Sequence, residues 1–217
     1  MDIQQLQDSM LFREMTAAEI TKALQVLEAD EKSYEKSEIL LIAGSVTDRM
    51  GLVLEGSVTI ESNDVWGNRT IISHVGRGQV FAETYALLDH EPMLVDVTAN
   101  ENCRILFLRS GRIQCLKTNP EPWALKVITN LLTISTHKNL ILSRRNFHTA
   151  PKSIRGRVMA YLNSVSLQRQ SREFDIPFDR QQLADYLNLE RSALSKELGK
   201  MQKDGLIYCR KNHFIIL

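Results

Sequence analysis

The sequence lacks the features by which membrane and secreted proteins are recognised. No stretch approaches the roughly 18 consecutive apolar residues that a membrane-spanning helix needs, so we expect no membrane partner. The opening segment MDIQQLQDSMLFREM contains acidic side chains and lacks the basic start and apolar stretch of a secretory signal. The sequence therefore predicts a cytoplasmic protein.

Cysteine is scarce. The chain has three cysteines, Cys103, Cys115 and Cys209, and their spacing matches neither a disulfide framework nor a CxxC metal site. We therefore expect all of them to be reduced thiols.

Catalytic motifs are missing too. A cupin-like metal enzyme needs a His-x-His pair, a following carboxylate and a further histidine, whereas the part from Ile39 to Leu108 has only His74 and His90, far apart. The sequence also contains no P-loop, no Gly-x-Ser-x-Gly and no kinase signature. We predict that the protein is not an enzyme, with a cupin-like enzyme as the distant alternative.

The balance of charge differs between two parts of the chain. Residues 1–150 contain 15 lysines and arginines against 19 aspartates and glutamates, whereas residues 151–217 contain 12 against 7. The net charge of +1 hides this difference. A basic tail is typical of a domain that binds a polyanion such as DNA; a solvated basic face without a partner is the alternative.

Short apolar runs separated by glycines fill the chain from Ile39 to Leu108. Several alternate apolar and polar residues, as residues 57–61 do, and each has the length of a β-strand. This pattern predicts an antiparallel sandwich or barrel. A short helix with Ile20, Leu24 and Leu27 on one face is expected before it.

A long helix is predicted after Pro122. Residues 123–147 contain no proline or glycine, and their apolar side chains cover two faces. One face can cover the β-strands while the other pairs with the same helix of a second subunit; a single broad stripe on its own sheet is the alternative. Residues 148–151 are expected to break the helix and form a hinge.

Residues 179–204 have the pattern of a helix-turn-helix. Asp179 and Gln182 can form a capping box at the start of the first helix. A small residue, then Asn188 at the turn and Leu194 as an apolar anchor follow the spacing of this motif. The segment therefore predicts two short helices that pack across a tight turn.

The second helix of the motif, predicted over residues 191–203, has the face that a DNA-reading helix needs. Leu194, Leu198 and Met201 share its buried side, which leaves polar and cationic side chains outward. The candidate DNA-binding residues are Arg180, Gln181, Arg191, Ser192, Ser195, Lys196 and Lys203. Solvated helix residues are one alternative; a protein-docking helix is another, but it would more often show an apolar outer stripe.

Flanking segments complete this basic part of the chain. An amphipathic helix begins near Ile154, and a short edge strand follows it and ends at Pro177. Residues 206–217 form two β-type runs around the basic tip 210–212. We expect a winged domain whose tip contacts a backbone phosphate.

Along nearly its whole length, the chain resembles the CRP/FNR family of bacterial transcription regulators. The residues Gly44, Gly56 and Gly78, the long helix and the segment RQQLADYLNLERSALSKELGKMQKDGLI carry the resemblance. It implies an α+β protein with an antiparallel, cupin-like β-roll (jelly roll) that senses an effector, a long dimerisation helix and a C-terminal winged helix-turn-helix.

The resemblance also implies partners and boundaries. It implies a homodimer that pairs through residues 123–147. This dimer is expected to bind a palindromic promoter in double-stranded DNA when its effector is present, and to contact RNA polymerase. The expected parts are an effector-binding β-roll domain over 1–120, the dimerisation helix and hinge over 121–149, and the DNA-binding domain over 150–217.

Residue by residue, the resemblance places Arg191, Ser192, Ser195 and Lys196 at base- and phosphate-contacting positions and Arg180 at a phosphate contact. Ser192 is a departure, because both name-giving members have glutamate there. Glutamate accepts a hydrogen bond from cytosine N4, so its absence predicts a different operator.

The effector pocket departs further. Cyclic-nucleotide-binding members of the family hold the ribose with a glutamate and the phosphate with an arginine-serine pair. This chain keeps Glu83 but has Met93-Leu94 where that pair would fall. Loss of the charge-assisted contact costs about 1.5 to 3 kcal/mol of binding free energy, so we expect an unidentified small-molecule effector other than cAMP.

The candidate effector-binding residues are Phe81, Ala82, Glu83, Thr84, Tyr85, Met93 and Leu94. The remaining arginines that could replace the missing charge are Arg49, Arg77 and Arg104.

Other sensing chemistries are alternatives. Iron-sulfur sensors of the family have clustered N-terminal cysteines, and this chain has none before Cys103, so we expect no iron-sulfur cluster and no metal site. Candidate axial ligands for haem, which we do not expect, are His74, His90, His137 and His148. Thiol sensing would use Cys103 or Cys115, although both lie among apolar residues, where thiols are usually unreactive.

Overall fold

The computed structural model describes residues 3–63, 69–88, 90–109, 111–115 and 121–217. The chain divides into two compact units, Met1–Ser135 and Thr136–Leu217. The division falls within the long helix, so the segment 148–151, predicted as a hinge, lies in the second unit. Among the described helices, none is both long and apolar enough to cross a bilayer.

Within the described residues, two α-helices precede the strands of the first unit, with a short 3-10 helix, Met10–Phe12, between them. The α-helices are α1, Ile3–Gln7, and α2, Ala17–Val26. α2 buries Ile20 and Leu24, and Leu27 is buried just after its end. The amphipathic helix predicted here is confirmed.

Within the described residues, eight antiparallel strands form a sandwich of two four-stranded sheets, as the alternating pattern predicts. The strands are β1 Asp30–Tyr34, β2 Ile39–Leu41, β3 Arg49–Glu55, β4 Ser57–Asn63, β5 Arg69–Gly76, β6 Val80–Phe81, β7 Asp96–Ala99 and β8 Cys103–Arg109. The sheet orders are β1-β8-β3-β6 and β2-β7-β4-β5. Two short helices, α3 Glu83–Leu87 and α4 Gly111–Cys115, accompany them.

The apolar pattern does not reveal β1. Its sequence is DEKSY, yet it pairs with β8 in regular register from Asp30 opposite Phe107 to Tyr34 opposite Cys103. β1 is the edge of its sheet, and charged side chains are common on edge strands because they discourage pairing with other molecules.

The strands β3 and β8 are buried on both sides. Leu52 and Leu106 belong to a cluster that includes α2 and the first half of the long helix, whereas Val53 and Phe107 belong to the core between the sheets. Successive residues of a strand point to opposite faces, so β3 and β8 contribute side chains to both cores. Gly51 of β3 lies against the Phe81 ring, with no room for a side chain between them.

The long helix, α5, spans Pro122–Thr149. Its first half buries the side chains Trp123, Val127, Leu131 and Ile134. On another face of the same half, Leu125, Ile128 and Leu132 are exposed. The predicted pair of apolar faces is therefore present in this half.

The second unit continues α5 and adds three helices and a three-stranded sheet. Their bounds are α6 Ile154–Arg169, β9 Glu173–Asp175, α7 Arg180–Tyr186, α8 Arg191–Lys203, β10 Ile207–Arg210 and β11 His213–Ile216. The sheet order is β10-β11-β9, so β9 is an edge strand as predicted. One apolar cluster, to which Val158, Leu183 and Phe214 belong, joins the helices to this sheet.

Candidate nucleic-acid interface and sensor site

The helix-turn-helix forms where its local signals predict. The Asp179 carboxylate accepts from the Gln182 backbone N–H at 2.8 Å, while the Gln182 side-chain oxygen accepts from the Asp179 backbone N–H at 2.9 Å. Asn188 has a φ of 54° at the turn, a conformation that asparagine tolerates better than most residues. Gly205, with a φ of 71°, follows the end of α8.

The two sides of α8 are as predicted. Leu194, Leu198 and Met201 are buried against the rest of the second unit. The exposed residues of α8 include Arg191, Ser192, Ser195, Lys196, Gly199 and Lys203. The outward face therefore presents small polar groups and cations, which can approach base edges and phosphates closely.

Arg180, at the start of α7, is held in place by its neighbours. Its guanidinium lies over the Phe214 ring at 5.4 Å from the centroid, and Nη2 lies 3.6 Å from Cys209 Sγ. The thiol in turn donates to the Gln202 side chain at 3.2 Å. Sequence reasoning did not connect Cys209 with this site, because the contact joins residues of different elements.

Arg180 also lines an open cleft of about 740 Å³. Arg191 at the start of α8 and Lys211 at the tip of the β10–β11 hairpin line the same cleft. Gln181 borders it as well, although its amide donates to Asp185 at 2.8 Å. Three cations around one opening at the start of α7 form a suitable place for an anion such as phosphate.

Other charges of this unit are engaged in ion pairs. Arg155 on α6 pairs with Glu197 at 2.7 Å and with Asp204 at 2.7 Å. Glu197 is thereby directed towards α6. Lys200 lies 3.9 Å from the same carboxylate.

The residues of the predicted effector pocket are divided between the core and the surface. Phe81 and Met93 are both buried in the cluster between the sheets, and Glu83 is only 4% exposed. Leu94 is 73% exposed, and its backbone N–H donates to the Tyr85 hydroxyl at 3.3 Å. The structure thus brings Met93 into the sandwich interior and turns Leu94 outward.

The backbone around Glu83 is unusual. Ala82, which precedes α3, has a left-handed conformation with a φ of 58°. Alanine rarely adopts this conformation, so the residue type at position 82 gives no indication of it. Thr84, another candidate, is exposed on α3.

The groups for the alternative sensors are placed as follows. Cys103 is buried, and burial raises the pKa of its thiol, with Glu38 and Glu101 adding to the effect. The Cys115 side chain lies outside the described residues. His74 Nδ1 lies 3.0 Å from the Thr59 hydroxyl. Within the described ranges, no group of three metal-ligating side chains comes together.

Two protein-family models match the chain. A model described as cyclic nucleotide-binding domain matches residues 31–118, and one described as Crp-like helix-turn-helix domain matches residues 156–217. The first match contains most of the sandwich, and the second contains the helix-turn-helix and the sheet beside it.

Known regulators match the chain over most of their length. It is 22% identical over 189 residues to the cAMP-activated global transcriptional regulator CRP of Haemophilus influenzae, which covers 84% of this chain and 82% of that protein. It is also 22% identical over 163 residues to the CRP-like protein Clp of Xanthomonas oryzae pv. oryzae, covering 73% and 71%.

Solved structures share the fold. The c-di-GMP-responsive global regulator CLP of Xanthomonas campestris superposes with a TM-score of 0.58 at 18% identity, covering 93% of this chain and 99% of that chain. The catabolite activator protein of Thermus thermophilus gives 0.51 at 19% identity, covering 96% and 94%. At these identities the likeness establishes the fold.

Proposed function

Because the chain belongs to the CRP/FNR family of transcription regulators, we propose that it binds a palindromic promoter as a homodimer under the control of a small molecule. Family membership makes it a CRP-like, DNA-binding transcription regulator with a sensor domain of the cyclic nucleotide-binding type. The observation that carries the finer proposal is the exposed cationic and polar face of α8 beside the three-cation cleft.

We assign the DNA contacts by position. Arg191, Ser192 and Lys196 lie on the exposed face of the first half of α8, where recognition helices contact base edges. Arg180 lies at the start of α7, where a guanidinium and backbone N–H groups can hold a phosphate. We assign Ser195 and Lys203 to DNA phosphates on either side of these base contacts, and Gln181 to the phosphate that Arg180 holds at the cleft.

We assign dimerisation to the exposed apolar face of α5. Leu125, Ile128 and Leu132 recur at the spacing of a helix-pairing seam and are exposed in the single chain. In a two-fold dimer the same face meets its own copy. Effector binding would shift the dimer between two arrangements, and in the competent one the recognition helices stand about 34 Å apart, one turn of DNA.

We assign effector binding to the sandwich near Glu83 and Met93. The buried carboxylate of Glu83 can accept hydrogen bonds from a polar group of the ligand, while Phe81, Tyr85 and Met93 offer apolar contacts. Neither Met93 nor Leu94 can supply the positive charge that a cyclic phosphate needs. The effector is therefore a small organic molecule other than cAMP, sensed in the cytoplasm and relayed to RNA polymerase through promoter binding.

Selection of bound sequences from a random DNA pool tests this function. The purified, effector-free protein is used at fixed salt, with and without oxygen. Enrichment of a palindrome in either condition supports the proposal and supplies the operator. A protein that stays monomeric at working concentrations would contradict it. A dimer that selects no sequence would make DNA competence dependent on the effector.

A further inference from the structure

The last turns of α5 are attached to the turn of the helix-turn-helix by one arginine. Arg145 donates from Nε to the Tyr186 carbonyl oxygen at 3.3 Å and from Nη2 to the Asp185 carbonyl oxygen at 3.4 Å. Nη2 also donates to the Asn188 side-chain oxygen at 3.2 Å. The guanidinium lies 5.9 Å from the centroid of the Tyr186 ring, within the range of a cation–π contact.

A second arginine holds the same turn from α6. Arg157 donates from Nη1 to the Leu187 carbonyl oxygen at 3.2 Å and to the Asn188 carbonyl oxygen at 3.0 Å. Its Nε donates to the Pro151 carbonyl oxygen at 2.9 Å, in the segment that joins α5 to α6. Two guanidinium groups on different helices thus bind the carbonyl oxygens of four successive residues.

This arrangement satisfies a general need of helix ends. The last carbonyl groups of a helix lack partners within the helix and carry the negative end of its dipole. Here those carbonyls belong to α7, and the planar, multi-donor guanidinium of Arg145 binds two of them together with a side-chain oxygen. An ammonium group carries its three N–H donors on one nitrogen, so it cannot reproduce the planar arrangement of donors on Nε and Nη2.

A buried histidine strengthens the attachment one turn further along α5. His148 is 3% exposed, and its Nδ1 lies 2.9 Å from the Tyr186 hydroxyl. The His148 ring also meets the Tyr161 ring edge-on at 5.4 Å between centroids. The end of α5 therefore contacts the end of α7 and the turn after it in two ways. One is the set of hydrogen bonds from Arg145, which we call the clamp, and the other is the packing of the His148 ring against Tyr186.

We propose that Arg145 is a positioning residue, which fixes the helix-turn-helix to the last turns of α5 so that α5 sets the placement of α8. The proposal rests on the proposed function, because placement matters only if α8 reads DNA in a dimer that pairs through α5. In such a dimer a rigid attachment fixes the distance between the recognition helices, and hence the half-site spacing of the operator.

The chain offers a matched control beside this residue. Arg144 is exposed on the same helix and carries the same charge. The substitutions Arg145→Gln and Arg144→Gln therefore change the net charge equally, while only the first removes the clamp. Arg145→Lys keeps the charge but not the planar fork, and it provides a variant that retains more of the attachment.

The first measurement is amide hydrogen exchange of the full-length, DNA-free proteins. The Leu189 N–H donates to the Ala184 carbonyl oxygen at 2.9 Å across the turn. We expect exchange in residues 186–190 to become about tenfold faster in Arg145→Gln, less so in Arg145→Lys, and to stay unchanged in Arg144→Gln. Equal exchange in Arg145→Gln and Arg144→Gln would show that no clamp exists.

The second measurement compares the selected operator with versions whose half-sites are one base pair closer or further apart. Wild-type protein and Arg144→Gln should discriminate strongly against altered spacing, and Arg145→Gln should lose about tenfold of that discrimination. A role in stability alone would lower the melting temperature without changing the spacing preference.

Two outcomes, one of the spacing comparison and one of titrations of the same operator at several salt concentrations, would overturn the inference. Unchanged spacing discrimination in Arg145→Gln would remove the positioning role. A salt slope that falls with Arg145→Gln beyond the fall with Arg144→Gln would make Arg145 a phosphate contact instead. If the wild-type protein stays monomeric, the proposed function fails and the positioning role fails with it, whereas the exchange experiment still reports on the hydrogen bonds of Arg145 themselves.

Discussion

His148 is a buried titratable group whose charged form the fold disfavours. Burial lowers the pKa of its imidazole, and the positive charge of nearby Arg144 lowers it further. Its ring neighbours cannot supply a compensating negative charge, because burial raises the pKa of Tyr161 to about 12 and also raises that of Tyr186. Within the described residues, Nε2 has no hydrogen-bond partner. A proton on His148 is therefore costly in the folded state.

This cost predicts acid sensitivity. Above pH of about 6.5 His148 is neutral in both states, and below it the unfolded chain takes up a proton that the folded chain resists. The free energy of unfolding should fall with decreasing pH, by at most about 1.4 kcal/mol per pH unit. Urea unfolding between pH 5 and 7 measures this. His148→Phe should flatten the dependence, and the exposed His137→Phe should leave it intact.

Arg191 and Lys203 are exposed on the same helix but have different predicted roles. If Arg191 reads a base, Arg191→Ala should cost about 1 to 3 kcal/mol, confined to one base pair of each half-site. Lys203→Gln should weaken all sequences alike and reduce the salt slope by about 0.9 for each copy in the dimer. Titrations on the selected operator and its single-base variants measure both. A uniform loss in Arg191→Ala would make Arg191 a phosphate contact.

At the scale of elements, α5 has one face covered by its own chain and one face exposed. Val127 and Leu131 are buried, whereas Leu132 is 66% exposed. Exposed apolar residues that recur along a helix are typical of a protein–protein interface. The face of Leu132 is therefore the part of α5 where a subunit contact can be tested.

Leu132→Glu should dissociate the dimer. In a two-fold interface the substitution would bury two carboxylates close together, so we expect the dissociation constant to rise by at least about a hundredfold. Thr133→Glu introduces the same charge at an exposed position on another face of the helix and should leave the dimer intact. Sedimentation velocity over a concentration series measures this. A dimer that persists in Leu132→Glu would place the interface elsewhere.

At the scale of the whole molecule, we expect that cAMP does not control the affinity of the protein for DNA. Met93 is buried and Leu94 exposed, and neither can neutralise a cyclic phosphate. Millimolar cAMP should therefore change the affinity of the full-length protein for its operator by less than about twofold. Fluorescence anisotropy with and without the nucleotide measures this. A tenfold tightening would show that another cation, such as Arg49, takes the place of the missing arginine.

Patterns that are local in the chain could be predicted from the sequence. The capping pair Asp179 and Gln182, the turn at Asn188 and the buried face of α8 follow from interactions between residues three or four positions apart. The bounds of α8 were predicted for the same reason, whereas the edge position of β9 was predicted from Pro177, because proline lacks the N–H that a central strand donates. Strand alternation likewise predicted the antiparallel sandwich, because its period reflects burial on one face.

The sequence by itself therefore determined the kinds of elements, their order and the family to which the chain belongs. Only the tertiary structure decided which distant groups meet: Arg145 with the turn at Asn188, Arg180 with Cys209, and Met93 with the interior while Leu94 turns outward. The physical reason is one of distance along the chain. The hydrogen bonds and the apolar spacing that define a helix or a strand involve residues only a few positions apart, whereas contacts between elements depend on how whole faces pack. The polar strand β1 shows this too, since only its pairing with β8 makes it a strand.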